Sequence, residues 1–141
     1  MAEPDREQLL TPGPPAHLSS VVEVSHVSKR ERDLLCALSY VHLACGQSAK
    51  SLALLQIVAN EHSHDVELLR ILVYALISEG LGDEALVALD RLDKLDDDPS
   101  SRLPLMVLRS YALRQAGRMA EARAIFKNYV SLRSNAAPSE Q

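Results

Sequence analysis

Few side chains in this sequence stand in patterns that could do chemistry. His62 and His64, in the stretch EHSHD, could begin a metal site. A structural metal needs a third and fourth ligand at workable spacing, and none follows, so the stretch reads as a polar loop holding no metal. Cys45, beside Gly46, would be a reactive thiol only if its pKa were lowered. It falls at the end of a helical pattern, where the helix dipole works against a thiolate. Cys36 and Cys45 read as reduced thiols rather than a disulfide. The acidic run DKLDDDP lacks the glycine and distal glutamate of a calcium loop. No phosphate-binding glycine loop, nucleophile elbow or acid–base motif appears. The expectation is a non-enzymatic chain with no catalytic residue and no cofactor, one that binds rather than catalyses.

The pattern that remains is built from tyrosines, and it needs elements to position it. The segments LACGQSAKSLALL, ISEGLGDEALVAL and QAGRMAEARAIF share one register. Gly46, Gly80 and Gly117 align, as do Ser51, Ala85 and Ala122, then Leu55, Leu89 and Phe126, then Val58, Leu92 and Tyr129. The sets are spaced 34 and then 37 residues apart. A period of 34 with small and large positions in fixed register is the helix-turn-helix tetratricopeptide pattern. Glycine suits the turn because it reaches positive φ where the first helix ends. The small residue then lets the second helix approach closely. The three extra residues fit in DDDPSS, where proline and polar side chains can loop.

The expected fold is all-α: three tandem tetratricopeptide repeats, about 32–64, 66–98 and 103–134, in a short right-handed solenoid with a concave groove. Helices are placed near 29–45, 48–61, 65–79, 82–95, 102–116 and 119–134. Leu35, Leu38 and His42, then Leu69, Leu72 and Leu76, then Met106 and Leu113 give the apolar spacing of buried faces. Arg109 and His42 depart from the pattern, which wants Leu and a large aromatic at those positions. Residues 1–18, rich in proline, read as a disordered arm, and 19–28 as a short extra helix or a strand-like arm, with Ser20 and Glu23 as a capping signal. Residues 135–141 read as a disordered tail.

Six residues before each turn glycine stands a tyrosine: Tyr40, Tyr74 and Tyr111. On the same helix face lie Cys36 and Leu43, Arg70 and Ile77, Val107 and Arg114, so nine side chains are expected to line one groove. Tyrosines on a rigid scaffold give large contact area at low entropic cost, which suits recognition of a peptide or helix. The alternative is that the tyrosines are core, covered by residues 16–28. A carboxylate clamp would want Asn and Lys in these columns, and tyrosines argue against it. The last repeat lacks the usual polar capping helix. Ile125, Phe126, Tyr129 and Val130 are therefore expected to form a surface for a partner or for self-association.

Composition narrows the class further. Hydrophobic residues make up 47% of the 141, with one Phe, four Tyr and no Trp, so Leu, Ala and Val must build the core. A net charge of −4 gives no electrostatic footprint for nucleic acid. The N-terminus is acidic and proline-rich rather than a secretory signal, and no apolar run is long enough to insert in a membrane. A cytoplasmic location is the expectation.

Residues 29–134 resemble the small tetratricopeptide chaperones of bacterial type III secretion, most of all the YscY type. HLACGQSAKSLALL is similar to that family's cysteine-glycine turn, and QAGRMAEARAIFKNYVSLR to its terminal helix. The long proline-containing arm departs from the family. The resemblance implies a cytosolic chaperone without ATPase activity that keeps a YscX-like secreted substrate soluble as a heterodimer or higher complex. With that cargo it would engage the cytosolic domain of the export gate. A chaperone of type III translocators, or a general tetratricopeptide scaffold, remains an alternative reading.

Overall fold

The computed structural model describes residues 27–137, and these are all-helical: six α-helices and one 3₁₀ turn, with no strand among them. They are α1 (Lys29–Ala44), α2 (Ser48–Ala59), α3 (Val66–Ser78), α4 (Gly82–Leu95), α5 (Arg102–Gln115) and α6 (Met119–Ala136). The DDDPSS segment carries the 3₁₀ turn, Pro99–Ser101, started by the Asp98 carboxylate accepting from Ser100 N–H. Residues 135 and 136, expected in a disordered tail, belong to α6, because Asn and Ala continue the helix before Pro138. The arm 1–18, the cap signal at Ser20 and Glu23, the covering segment 16–26 and the end of the tail lie outside the described residues. Of the expected arm 19–28, only Val27 and Ser28 are described, and they lead into α1 without being helical.

Local chemistry sets the boundaries. Ser28 and Glu31 form a reciprocal capping box that starts α1, and Asp65 caps α3 by accepting from Leu68 N–H at 3.1 Å. The helices within each hairpin are joined by a glycine at positive φ: Gly46 at 76°, Gly80 at 77° and Gly117 at 80°. Around each, the next residue's N–H reaches back to the helix, as Gln47 N–H does to His42 C=O at 2.8 Å and Leu81 N–H to Leu76 C=O at 2.8 Å. This is the closure that an L side chain at the glycine would strain.

Helices pair as α1–α2, α3–α4 and α5–α6, and the pairs stack in chain order through α2–α3 and α4–α5. The first helices α1, α3 and α5 also touch one another in sequence. The second helices do not touch one another, so the first helices form the more closely packed, inner layer. Leu55, Val58, Leu68, Leu69, Val73, Leu89 and Leu92 form the centre of the core, all under 2% exposed. Ser51, Ala85 and Ala122 form the small-residue seam inside the three hairpins, and all three are buried. Gly82 is needed for a different reason. A Cβ there would stand 2.5 Å from Ala112 O and 2.9 Å from Ala116 N, so only glycine lets α4 begin against the end of α5.

The end helix α1 departs from the expected pattern. Leu38, expected in the core, is 41% exposed, with Leu34 at 59% and Val41 at 55%. The equivalent positions Leu72 and Arg109 face the preceding hairpin, and α1 has none before it among the described residues. Arg109 is likewise no defect. Its guanidinium donates to Asp90 at 2.9 Å and Asp93 at 2.5 Å, tying α5 to α4.

Candidate functional site

The inner layer places the three tyrosines in one column. Tyr40, Tyr74 and Tyr111 are 61%, 47% and 46% exposed, so none is core. Each borders at least two depressions on this face. One of about 500 Å³ lies between Tyr40 and Tyr74, with Leu43, Ala44, Glu67, Arg70 and Ile71 around it. Another, of about 620 Å³, lies between Tyr74 and Tyr111 and includes Leu103, Pro104, Val107, Tyr129 and Arg133. Beyond Tyr40 a third is bordered by Arg32, Cys36, Ala37 and Val41. Beyond Tyr111 a fourth is bordered by Arg114, Met119, Arg123 and Phe126. Aromatic rings thus alternate with largely apolar hollows along the groove.

The nine expected groove side chains divide. Tyr40, Leu43, Arg70, Tyr74, Val107, Tyr111 and Arg114 border the hollows. Cys36 is a correction: it is 3% exposed and belongs to the core, forming the floor of its hollow rather than a contact side chain. Its place beside Arg32 at the junction of α1 and α3 turns it inward, and burial pushes its thiol pKa up. Ile77 borders none of these hollows and is partly buried. It packs against the core at the end of α3, leaving its carbonyl to accept from Gln115 Nε2 at 2.7 Å.

Of the terminal surface, Phe126 and Val130 are 49% and 46% exposed, and Phe126 packs on Tyr129 with ring centroids 5.8 Å apart. Ile125 instead packs against the core. Tyr129 reaches round to the groove wall with Arg133. Glu67, Ile71, Pro104 and Leu108 line the groove without having been expected there. Helical spacing points to some of them: Ile71 and Leu108 stand three residues before a tyrosine, on the same side of their helices.

Charge in the groove is held in fixed positions. Arg70 donates to Asp96 at 2.5 Å and to Ser101 at 2.7 Å, clamping α3 to the turn that follows α4. The Arg70 bond holds the Asp96 carboxyl below the usual range. Arg114 lies 5.2 Å over the Tyr111 ring, in cation–π range. At the other end Arg32 bridges Asp33, Asp65 and, at 3.5 Å, Glu67. Burial opposes the charge on Arg32, but the two aspartates outweigh it and hold the guanidinium more firmly protonated than usual. His62 turns away to Val27, its Nε2 standing 3.3 Å from the carbonyl.

Among the described residues no group of three or more His, Cys, Asp or Glu could hold a metal ion. Nor is any described helix long and apolar enough to cross a membrane. The arrangement offers contact area, apolar hollows and a few fixed charges, which suits gripping a chain segment. No protein-family model and no curated protein matches this chain.

Proposed function

We propose that this chain is a non-enzymatic tetratricopeptide protein, three repeats long, whose groove holds a segment of a partner protein. The observation that carries the reading is the exposed tyrosine column, in which three rings from successive first helices stand in register with hollows between them. Apolar side chains of a partner seat in the hollows, and the tyrosines pack against its backbone and side chains. The glycine closures at one register in all three hairpins support the repeat assignment.

The sequence resemblance then favours a dedicated type III secretion chaperone of the YscY type over a general scaffold. In this reading the chain works in the cytoplasm without a cofactor, keeps a YscX-like secreted protein soluble and delivers it to the export gate. A translocator chaperone would use the same groove for a different cargo.

Site-specific photocrosslinking in native cells tests the reading. A photoreactive phenylalanine replaces Tyr74 in the groove or Val87 on the far side of α4, where Val87 is 58% exposed. The expected result is one secreted protein crosslinked at 74 and absent at 87. Equal labelling at both positions, or a partner that is not secreted, overturns the chaperone assignment.

A further inference from the structure

The outward face of α6 repeats, position for position, a face that is covered elsewhere in the molecule. Counted from the turn glycines, Phe126 corresponds to Leu55 and Leu89, and Tyr129 to Val58 and Leu92. Those four counterparts are 0% exposed, because α3 packs on α2 and α5 packs on α4. Phe126 is 49% exposed and Val130 46%. Met119, 42% exposed, stands where Gly82 meets the end of α5. A hollow of about 250 Å³ between Tyr111, Arg114, Met119, Arg123 and Phe126 lies at this same place. The face has the form of a seat for one more helix.

Charge selects the occupant. Where α5 sits on α4 the seat is anionic: Asp90 and Asp93 receive Arg109. The register carries Asp90 to Lys127 and Asp93 to Val130, so the polarity is reversed on α6. Arg123 replaces the buried Leu52 and Leu86, and Arg133 extends the cationic line. None of Arg123, Lys127 and Arg133 has an ion pair among the described residues. The one carboxylate of α6, Glu121, is held by Arg118 at 2.5 Å.

A second copy of the chain fits poorly. Its own α6 would bring the same cations face to face. Its α1 offers an apolar stripe, but the two carboxylates there are already engaged, Glu31 by the Ser28 N–H and Asp33 by Arg32. We propose that α6 seats an acidic amphipathic helix of a different protein. Its apolar stripe covers Met119, Phe126, Tyr129 and Val130, and its carboxylates meet Arg123, Lys127 and Arg133. The seat adjoins the groove and shares Tyr111, Arg114, Tyr129 and Arg133 with it, whereas Tyr40 and Tyr74 take no part in the seat and so tell the two surfaces apart.

The test uses the full chain and two labelled helix-forming peptides of about 18 residues, matched to the length of α6. Both carry leucines at i, i+3, i+4 and i+7. One has glutamates on its flanks and the other lysines. Fluorescence anisotropy should show the glutamate peptide binding about tenfold more tightly or better. The double variant Arg123→Glu with Lys127→Glu should invert the preference, with helicity unchanged, and Tyr74→Ala should leave both curves alone. Equal binding of the two peptides, binding of neither, or a preference that survives charge reversal overturns the proposal. So does sedimentation of the chain alone as dimers or filaments that Phe126→Asp dissolves, since a second copy would then be the cover.

Discussion

The helices α4 and α6 occupy the same place in their hairpins, yet α4 buries six residues and α6, four residues longer, buries only Ala122. The inward seam does not account for this, since Ala85 is 0% and Ala122 6% exposed. The difference lies on the outward face, where Leu89 is 0% and Phe126 49% exposed. A second helix in this stack is thus stabilised from two sides, and only one side belongs to its own hairpin. Burial of an equivalent position is decided by whether another hairpin packs on it among the described residues, not by the residue standing there.

The sharpest way to break this comparison is a pair of truncations. Leu89→Ala should cost about 2–5 kcal/mol in urea unfolding, the usual range for emptying a fully buried leucine site. Phe126→Ala should cost less than about 1 kcal/mol, although it removes more atoms, because its ring already meets water. Equal losses would mean that α6 is covered in solution.

How much of this was legible in the sequence follows the same division between what a hairpin does internally and what its neighbours do. The turn glycines and the small seam could be read because each has a local cause: a positive φ, or the close approach of two helices joined by a short turn. All six helix positions followed from them to within a few residues. Gly82 was not legible, since its reason lies on α5, some thirty positions away in the chain. Leu38 looked like core because its apolar spacing is sound, but nothing in the spacing says that no hairpin precedes it among the described residues. Arg109 looked like a flaw until Asp90 and Asp93, three residues apart on one face of α4, supplied its partners. In the groove, the tyrosine column was readable from register. Cys36 and Ile77 were not, because spacing along one helix does not show which side chains the neighbouring helices cover.

Gly82 sharpens the comparison from the junction side. Gly82→Ala should destabilise by about 1–3 kcal/mol, because the new methyl meets the α5 backbone rather than a side chain that could move aside. Met119→Ala, at the matching position of α6, should change stability by less than about 0.5 kcal/mol. Similar losses at the two sites would show that α6 has a neighbour there too.

A smaller effect should appear with pH at the junction of α2 and α3. Burial pushes the Asp65 carboxyl up, but the Leu68 N–H and Arg32 outweigh it and hold it below the usual carboxylate range. A depressed carboxylate stabilises the fold above its unfolded pKa, and that contribution fades as pH falls through about 4 toward the folded value. Melting temperature should therefore drop less steeply between pH 5 and pH 3 in Asp65→Asn than in the natural chain. Parallel curves would remove Asp65 from the pH dependence. The variant should also be less stable at neutral pH by about 1 kcal/mol, through the weakened cap.

The smallest effect concerns the seam itself, which the comparison holds to be alike in all three hairpins. Ser51 occupies the position of Ala85 and Ala122, is 0% exposed, and its hydroxyl has no hydrogen-bond partner among the described residues. Two other buried serines solve that problem locally: Ser39 donates to Leu35 C=O at 2.6 Å and Ser110 to Val107 C=O at 2.8 Å. An unpaired buried hydroxyl costs free energy, and alanine is the better helix former, so Ser51→Ala should stabilise the chain by about 1 kcal/mol. Ser39→Ala removes a bond that is made and should be neutral or slightly destabilising. The opposite signs separate the unpaired hydroxyl from helix propensity, which favours alanine equally at both sites. If Ser51→Ala instead destabilises, the hydroxyl has a partner in solution, and the first hairpin is closed differently from the other two.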